Sequence, residues 1–362
     1  MSTLPTSYGA LVRELGRRAA AIRQPVNGVF ELTERCSLSC RMCYVRHPAR
    51  DLARQAKELS ASEWVALARD AVDNGMVFVL LTGGEVFLRR DFFEIYTPLT
   101  RLGLIITLFT NATLITDAIA QRLAEAPPSL TQITLYGATA ATYEALTGHA
   151  GGYARCCAGI QALLKHRVPL ELKTTITRQN VAELEAMRQM ARNWGLSFTG
   201  AWLLMPRRDG HASDVDDCRL SVQDCVRLEA SERGRAEEWV ETALRDSSAK
   251  NDSNFNCQAG KSAFVIESSG EMNPCLSLSQ PSARPRDIGF RAAWESVQRF
   301  ADNAPPLDPA CLACDARSYC QRCPGWSFME TGTLTDVVPY LCDIARMRKE
   351  RYQGIPHSAA NP

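Results

Sequence analysis

The chain has 362 residues, with 41 basic against 40 acidic side chains and a formal charge of +1. That length leaves room for about two domains and excludes a disulfide-stapled mini-protein, while the even balance gives no overall field to draw the chain onto nucleic acid or an anionic membrane. The apolar runs, residues 76–81 and 104–109 among them, fall far short of the roughly 18 residues a bilayer span needs, and no signal-peptide apolar region opens the chain. The sequence therefore reads as a soluble cytoplasmic protein.

A helical stretch at residues 8–22 comes first. Strand-like runs follow at 29–33, 76–82, 104–110, 130–136, 168–176 and 198–204, short and apolar or β-branched, as parallel strands buried on both faces require. Amphipathic helices separate them: one opens with Ser60 and Glu63 as a capping box, and others lie at 91–102, 116–126, 153–166 and 180–194. Six βα units in series predict an α/β fold, a partial (β/α)6 TIM-like barrel with its chemistry at the C-terminal strand ends. The rhythm stops after Met205. Residues 206–217, with Arg207, Arg208, Asp209, Asp214, Asp216 and Asp217, read as a solvated linker, 221–244 as one long exposed helix and 245–256 as a polar boundary. Beyond it a hairpin (263–267, a turn at Ser269-Gly270, 272–276) precedes a helix at 290–300 and a cysteine-rich segment. The expected divisions are a helical extension at 1–28, the barrel at 29–210, a helical bridge at 211–250, a cysteine-rich domain at 251–350 and a tail at 351–362.

Fourteen cysteines are many for a reducing compartment, which disfavours structural disulfides and leaves metal ligation or catalysis as the use of a thiol. Cys36, Cys40 and Cys43 stand as Cys-x3-Cys-x2-Cys directly after the first strand. Three thiolates on one loop hold a 4Fe-4S cube and leave its fourth iron free for another ligand, whereas zinc would want a fourth donor, for which His47 is the nearest candidate. Thr82-Gly83-Gly84-Glu85 closes the second strand, where glycines permit close backbone approach and a carboxylate suits an ammonium.

In combination these motifs resemble the radical S-adenosylmethionine (SAM) superfamily. The resemblance implies that Gly83, Gly84 and Glu85 receive the methionyl ammonium of SAM, that Met42 lies by the adenine and that Thr134 faces the ribose. Thr110-Asn111 stands where relatives have Thr-Asn-Gly, with Ala112 a departure; for Asn111 and Thr134 a satisfied strand-end polar group is the competing reading. Cys257, Gly270, Cys275, Cys311, Cys314, Cys320, Cys323 and Cys342 resemble the seven-cysteine SPASM domain, with one spacing shortened to Gln321-Arg322. Carried over, that pattern gives Cys311, Cys314, Cys320 and Cys342 to one full cluster and Cys257, Cys275 and Cys323 to another with an open iron, unless Cys218 or Cys225 caps it. Three 4Fe-4S clusters and SAM are the implied cofactors. Cys156 and Cys157 read as packed thiols.

The family's reaction is reductive cleavage of SAM to a 5'-deoxyadenosyl radical that removes hydrogen from a C–H bond, with a flavodoxin- or ferredoxin-type reductant as partner. Leu276 stands where sulfatase-maturing relatives carry aspartate. The run Leu135-Tyr136-Gly137-Ala138 and the Arg208-Asp209-Gly210 loop look more like the peptide maturases, so a ribosomally made precursor peptide is the expected substrate. Only 28 residues precede the first strand, too few for a leader-binding module, so leader recognition is expected from a separate protein or from the barrel and SPASM surfaces. Two rivals are a dehydrogenase or epimerase of a small molecule such as an aminocyclitol sugar, with Cys218 or Cys225 as hydrogen donor, and a non-enzymatic zinc or iron-sulfur module.

Overall fold

The computed structural model describes residues 8–232, 235, 238–242 and 254–353; most of the expected linker at 245–256 and of the tail at 351–362 lies outside them. Six strands, β1 (Asn27–Glu31), β2 (Phe78–Thr82), β3 (Ile105–Thr110), β4 (Leu130–Thr134), β5 (Leu170–Thr175) and β6 (Phe198–Ala201), run parallel and lie side by side in chain order. Sequential order is the mark of a barrel; a doubly wound sheet reverses direction partway. Among the described residues the helices of eight residues or more are α1 (Tyr8–Ala21), α2 (Ala61–Asp73), α3 (Phe92–Arg101), α4 (Asp117–Glu125), α5 (Ala140–Thr147), α6 (Gly152–Lys165), α7 (Leu184–Asn193), α8 (Val222–Ser231), α9 (Phe290–Asp302), α10 (Pro324–Thr331) and α11 (Pro339–Tyr352). Among the described residues no helix is long and apolar enough to cross a membrane.

The expected capping box is present: Ser60 Oγ accepts from the Glu63 N–H, and the Glu63 carboxylate accepts from the Ser60 N–H at 2.7 Å. One core joins strands to helices, with Phe30, Leu81, Leu108, Ile133 and Leu172 packed with Trp64, Ile95, Leu123, Ile160 and Met187. Strand side chains alternate between faces, so the opposite, inner face carries Val29, Leu80, Phe109, Gln132, Thr134 and Lys173, all half-buried.

Three expectations change. Helix α5 was not anticipated, although Thr139 caps its start and Gly148, in the left-handed region, ends it. Residues 221–244 are not one long exposed helix: α8 stops where Glu232 turns extended, and its Cys225, Val226 and Glu229 are buried against α11. The cysteine-rich segment also does not stand off from the barrel sheet. Its hairpin strand β7 (Ala263–Ile266) pairs in parallel with β1, from Asn27↔Ala263 to Phe30↔Ile266, and β8 (Met272–Asn273) returns antiparallel beside it, making eight strands. Gly270 makes the intervening turn at φ 89°.

Candidate functional site

The cysteine loop leaves β1 and is pinned on several sides. Arg35 and Cys36 pair in parallel with His47 and Pro48, closing the loop on itself, and Arg35 forms a buried ion pair with Glu58 at 2.8 Å. The N–H groups of Ser39 and Arg41 donate to Thr147 and Leu146 at the end of α5. Leu38, Met42, Leu146, Leu204, Val215 and Cys218 pack around the three thiols. Burial raises the Cys40 thiol well above its ordinary range, and the charges of Cys43 and Cys36 raise it further; Cys36 is pushed up to about 12 by burial and then by Glu85. Three thiols, Cys40 buried and Cys36 and Cys43 half-buried, that oppose one another's ionisation want a cation between them. Among the described residues no three His, Cys, Asp or Glu side chains converge tightly enough to chelate a single ion; the donor set suits a multi-iron group, in which each thiolate binds a different iron. His47 is turned toward Asp209, 3.6 Å away, and its main electrostatic neighbours are Arg54, Glu34, Asp209 and Arg207.

The glycine ledge is pressed against this loop. Gly84 donates to Thr33 O at 2.7 Å and Glu85 to Arg35 O at 2.9 Å. A Cβ on Gly83 would stand 2.2 Å from Thr33 O, and one on Gly84 2.3 Å from Arg35 O. The close approach that demands glycine is thus made to the cysteine loop itself. Glu85 is buried, and its carboxylate accepts from Thr110 Oγ1 at 2.8 Å, the Asn111 N–H at 2.8 Å and the Phe87 N–H at 3.2 Å. Those donors occupy most of the lone-pair sites of a carboxylate, so in this structure the side chain locks β3 to the ledge. Asn111 in turn donates to Ser37 Oγ at 3.2 Å and toward Cys36 Sγ at 3.6 Å, and its Oδ1 accepts from Thr113; it is a satisfied strand-end group that touches a thiol. Ala112 adopts φ 60°, which glycine would take without strain. Thr134 lies half-buried on the inner face, in register with Lys173.

The C-terminal cysteines fall into two electrostatic neighbourhoods. Cys275, pushed up to about 12 chiefly by burial, also feels Cys323 and Cys257. Cys320, pushed up to about 11 by burial, feels Cys342, Cys311 and Cys314. Cys218 and Cys225 pack elsewhere, both fully buried: Cys218 beside the first loop and Cys225 with its sulfur 3.2 Å from Tyr340 Oη. Cys156 is fully buried in the main core and Cys157 is half-buried.

Several contributors escaped the motif reading. Burial holds the Tyr136 phenol far above its usual range, and the charges of Cys40, Cys43 and Cys36 push it further. Arg208 is not in a solvated linker: its buried guanidinium binds Glu31 at 2.8 Å, Glu34 at 2.9 Å and Leu276 O at 3.2 Å, strapping residues 206–210 across the cysteine loop and the hairpin. Lys173 interrupts a buried strand, a signal present in the sequence. Burial brings its ammonium down to about 7, with Glu171 opposing the shift. A lysine depressed in the fold costs stability wherever it must charge, so its neutral form contributes above the unfolded value of 10.5 and that contribution is lost as pH falls through about 7. Lys173→Met is therefore expected to raise the melting temperature most at pH 6, with the gain gone above pH 10.5; a gain independent of pH would rule out desolvation as the cause.

Residues 30–191 match the family model described as the radical SAM superfamily. An AdoMet-dependent heme synthase of Methanosarcina barkeri is 26% identical over 333 residues, covering 86% of this chain and 94% of the relative. A PqqA peptide cyclase of Rhizobium meliloti is 32% identical over 178 residues, 49% of this chain and 47% of the relative. The fold is shared with Streptococcus suis SuiB bound to precursor peptide SuiA, with a TM-score of 0.68 at 17% identity over 94% of this chain and 82% of that one. The three-thiol loop and the glycine ledge both lie within residues 30–191, the segment that carries a radical SAM domain.

Proposed function

We propose that this chain uses SAM to abstract hydrogen from a precursor peptide, with Cys36, Cys40 and Cys43 holding the SAM-binding 4Fe-4S cluster. The observation that carries the reading is the set of three thiols on one loop, Cys40 buried and Cys36 and Cys43 half-buried, mutually opposed in charge and locked to the glycine ledge through Glu85, Thr110 and Asn111. When bound, the cluster supplies the electron that breaks a sulfur–carbon bond of SAM. The chain's residues do the rest. Asn111 directs a hydrogen-bond donor toward Cys36, which favours the ionised thiol. Met42, Leu38, Leu204 and Val215 exclude water. The ledge backbone, Thr134 and Met42 are assigned to SAM, with Glu85 acting by holding the ledge.

Cys311, Cys314, Cys320 and Cys342 are assigned to one auxiliary cluster and Cys257, Cys275 and Cys323 to a second with an open iron; their separate electrostatic neighbourhoods support the division. Neither Cys218 nor Cys225 is proposed as a cap. The peptide assignment draws on the peptide cyclase relative, 32% identical over 178 residues. A second reading, chemistry on a tetrapyrrole, has its own support, because the heme synthase relative aligns over 86% of this chain. The reductant is proposed to be of flavodoxin or ferredoxin type.

The test is anaerobic reconstitution with iron and sulfide, then dithionite and SAM. Release of 5'-deoxyadenosine is expected, and its absence overturns the assignment. Mass shifts in a co-encoded short peptide support the peptide reading; turnover of a porphyrin instead supports the second.

A further inference from the structure

The inner face of the sheet is where a substrate would meet the SAM site, and it is not chemically uniform. Phe109 and Leu80 give it apolar wall, and Gln132 and Thr134 give it hydrogen-bonding groups. Lys173 is the unusual member. Its Nζ stands 2.9 Å from the centroid of the Phe109 ring and 3.4 Å from Gln132 Oε1. It forms no ion pair among the described residues. The nearby carboxylate, Glu171, is engaged by Gln132 Nε2 and by Ser197 Oγ.

We propose that Lys173 anchors a carboxylate of the substrate on the inner face, beside Thr134. The proposal rests on reading this face as the substrate chamber of a radical SAM enzyme. An ammonium inside a protein wants an anionic partner, and the carboxylate near Lys173, Glu171, is bonded instead to Gln132 and Ser197. An aromatic ring under the ammonium fixes its position and leaves its other side open. The location is also right for steering. Lys173 is the register partner of Thr134, and Phe109 immediately precedes Thr110, which binds Glu85. Lys173 and Thr110 lie near the C-terminal ends of their strands, the end of the sheet from which the cysteine loop leaves β1. The ligand chemistry is a carboxylate within a partly apolar molecule. An acidic side chain of a peptide and the propionate of a tetrapyrrole both supply it.

Lys173 can be read directly by acetic anhydride labelling of the anaerobic, reconstituted protein, with tryptic mass spectrometry of the acetylated site. Two probe pairs separate the sources: protoporphyrin IX against its dimethyl ester, and an acetylated, amidated Gly-Gly-Glu-Gly-Gly peptide against its glutamine counterpart. At least one acid is expected to protect Lys173 fivefold or more, roughly a kcal/mol of occupancy, while its neutral partner does not protect. Lys173→Met should weaken binding of the protecting acid about tenfold and leave the SAM-induced change in the cluster's electron paramagnetic resonance spectrum intact. Protection by the porphyrin alone keeps the anchor and moves the substrate to the tetrapyrrole class. Equal protection by acid and neutral probe, or by none of the four, overturns the anchor. Loss of the SAM-induced spectral change in the unmutated protein overturns the underlying assignment instead.

Discussion

Replacing Cys36, Cys40 and Cys43 together with alanine is expected to abolish 5'-deoxyadenosine formation while leaving about eight of roughly twelve irons per reconstituted chain. The reason is the separation of the thiols into three neighbourhoods: Cys40 feels Cys43 and Cys36, Cys275 feels Cys323 and Cys257, and Cys320 feels Cys342, Cys311 and Cys314. No described member of one set is a leading electrostatic neighbour of another. The loop should keep its course in the variant, because its backbone is tied to α5 through Ser39 and Arg41 and to β2 through Gly84 and Glu85. Circular dichroism should therefore match the unmutated protein. Iron and sulfide analysis beside a SAM cleavage assay checks both halves. Unchanged iron would show that these thiols hold no cluster, and complete loss of iron would show that the three sets are not independent.

Glu229→Ala should destabilise the fold by about 3–5 kcal/mol, because it strands a buried cation. Glu229 on α8 and Arg348 on α11 are almost entirely shielded from solvent, their side chains 2% and 1% exposed. Arg348 Nε donates to Glu229 Oε2 at 2.8 Å, and the same guanidinium reaches Gln321 Oε1 at 2.8 Å and Tyr319 O at 3.3 Å. It also stacks over Trp239, 4.2 Å from the ring centroid. Tyr319 and Gln321 flank Cys320, so the pair also steadies a thiol assigned to an auxiliary cluster. The double variant Glu229→Leu, Arg348→Met removes both charges and should recover most of the loss. Urea denaturation of the three proteins measures it, and a single-variant cost below about 1 kcal/mol would mean that the pair is solvated in solution.

The barrel strands were legible because each is a short run of residues that a buried parallel strand needs. The cysteine spacing and the Gly83-Gly84-Glu85 turn were legible because both are local in sequence. What escaped depends on distance along the chain. Nothing near Glu85 announces that Thr110 and Asn111 will fill its carboxylate, and nothing near residue 229 points to Arg348. Arg208 looked like part of a solvated charge run because its partners, Glu31, Glu34 and Leu276 O, come from two distant segments. The break of α8 at Glu232, by contrast, had its own signal in Gly234, two residues on, inside what read as a continuous helix. Helix α5 likewise carried its signals in Thr139 and Gly148 and could have been found from its caps.

The parallel pairing of β7 with β1 ties the spacing between the iron sites to a row of amide-to-carbonyl bonds instead of a tether. The strand that launches Cys36 and the strand that leads toward Cys275 slide or separate only by breaking that row. Cutting the chain at residue 256 would accordingly uncover a raw flank on β1, inviting intermolecular strand addition, so the two halves are expected to be recovered intact only when made as a single polypeptide.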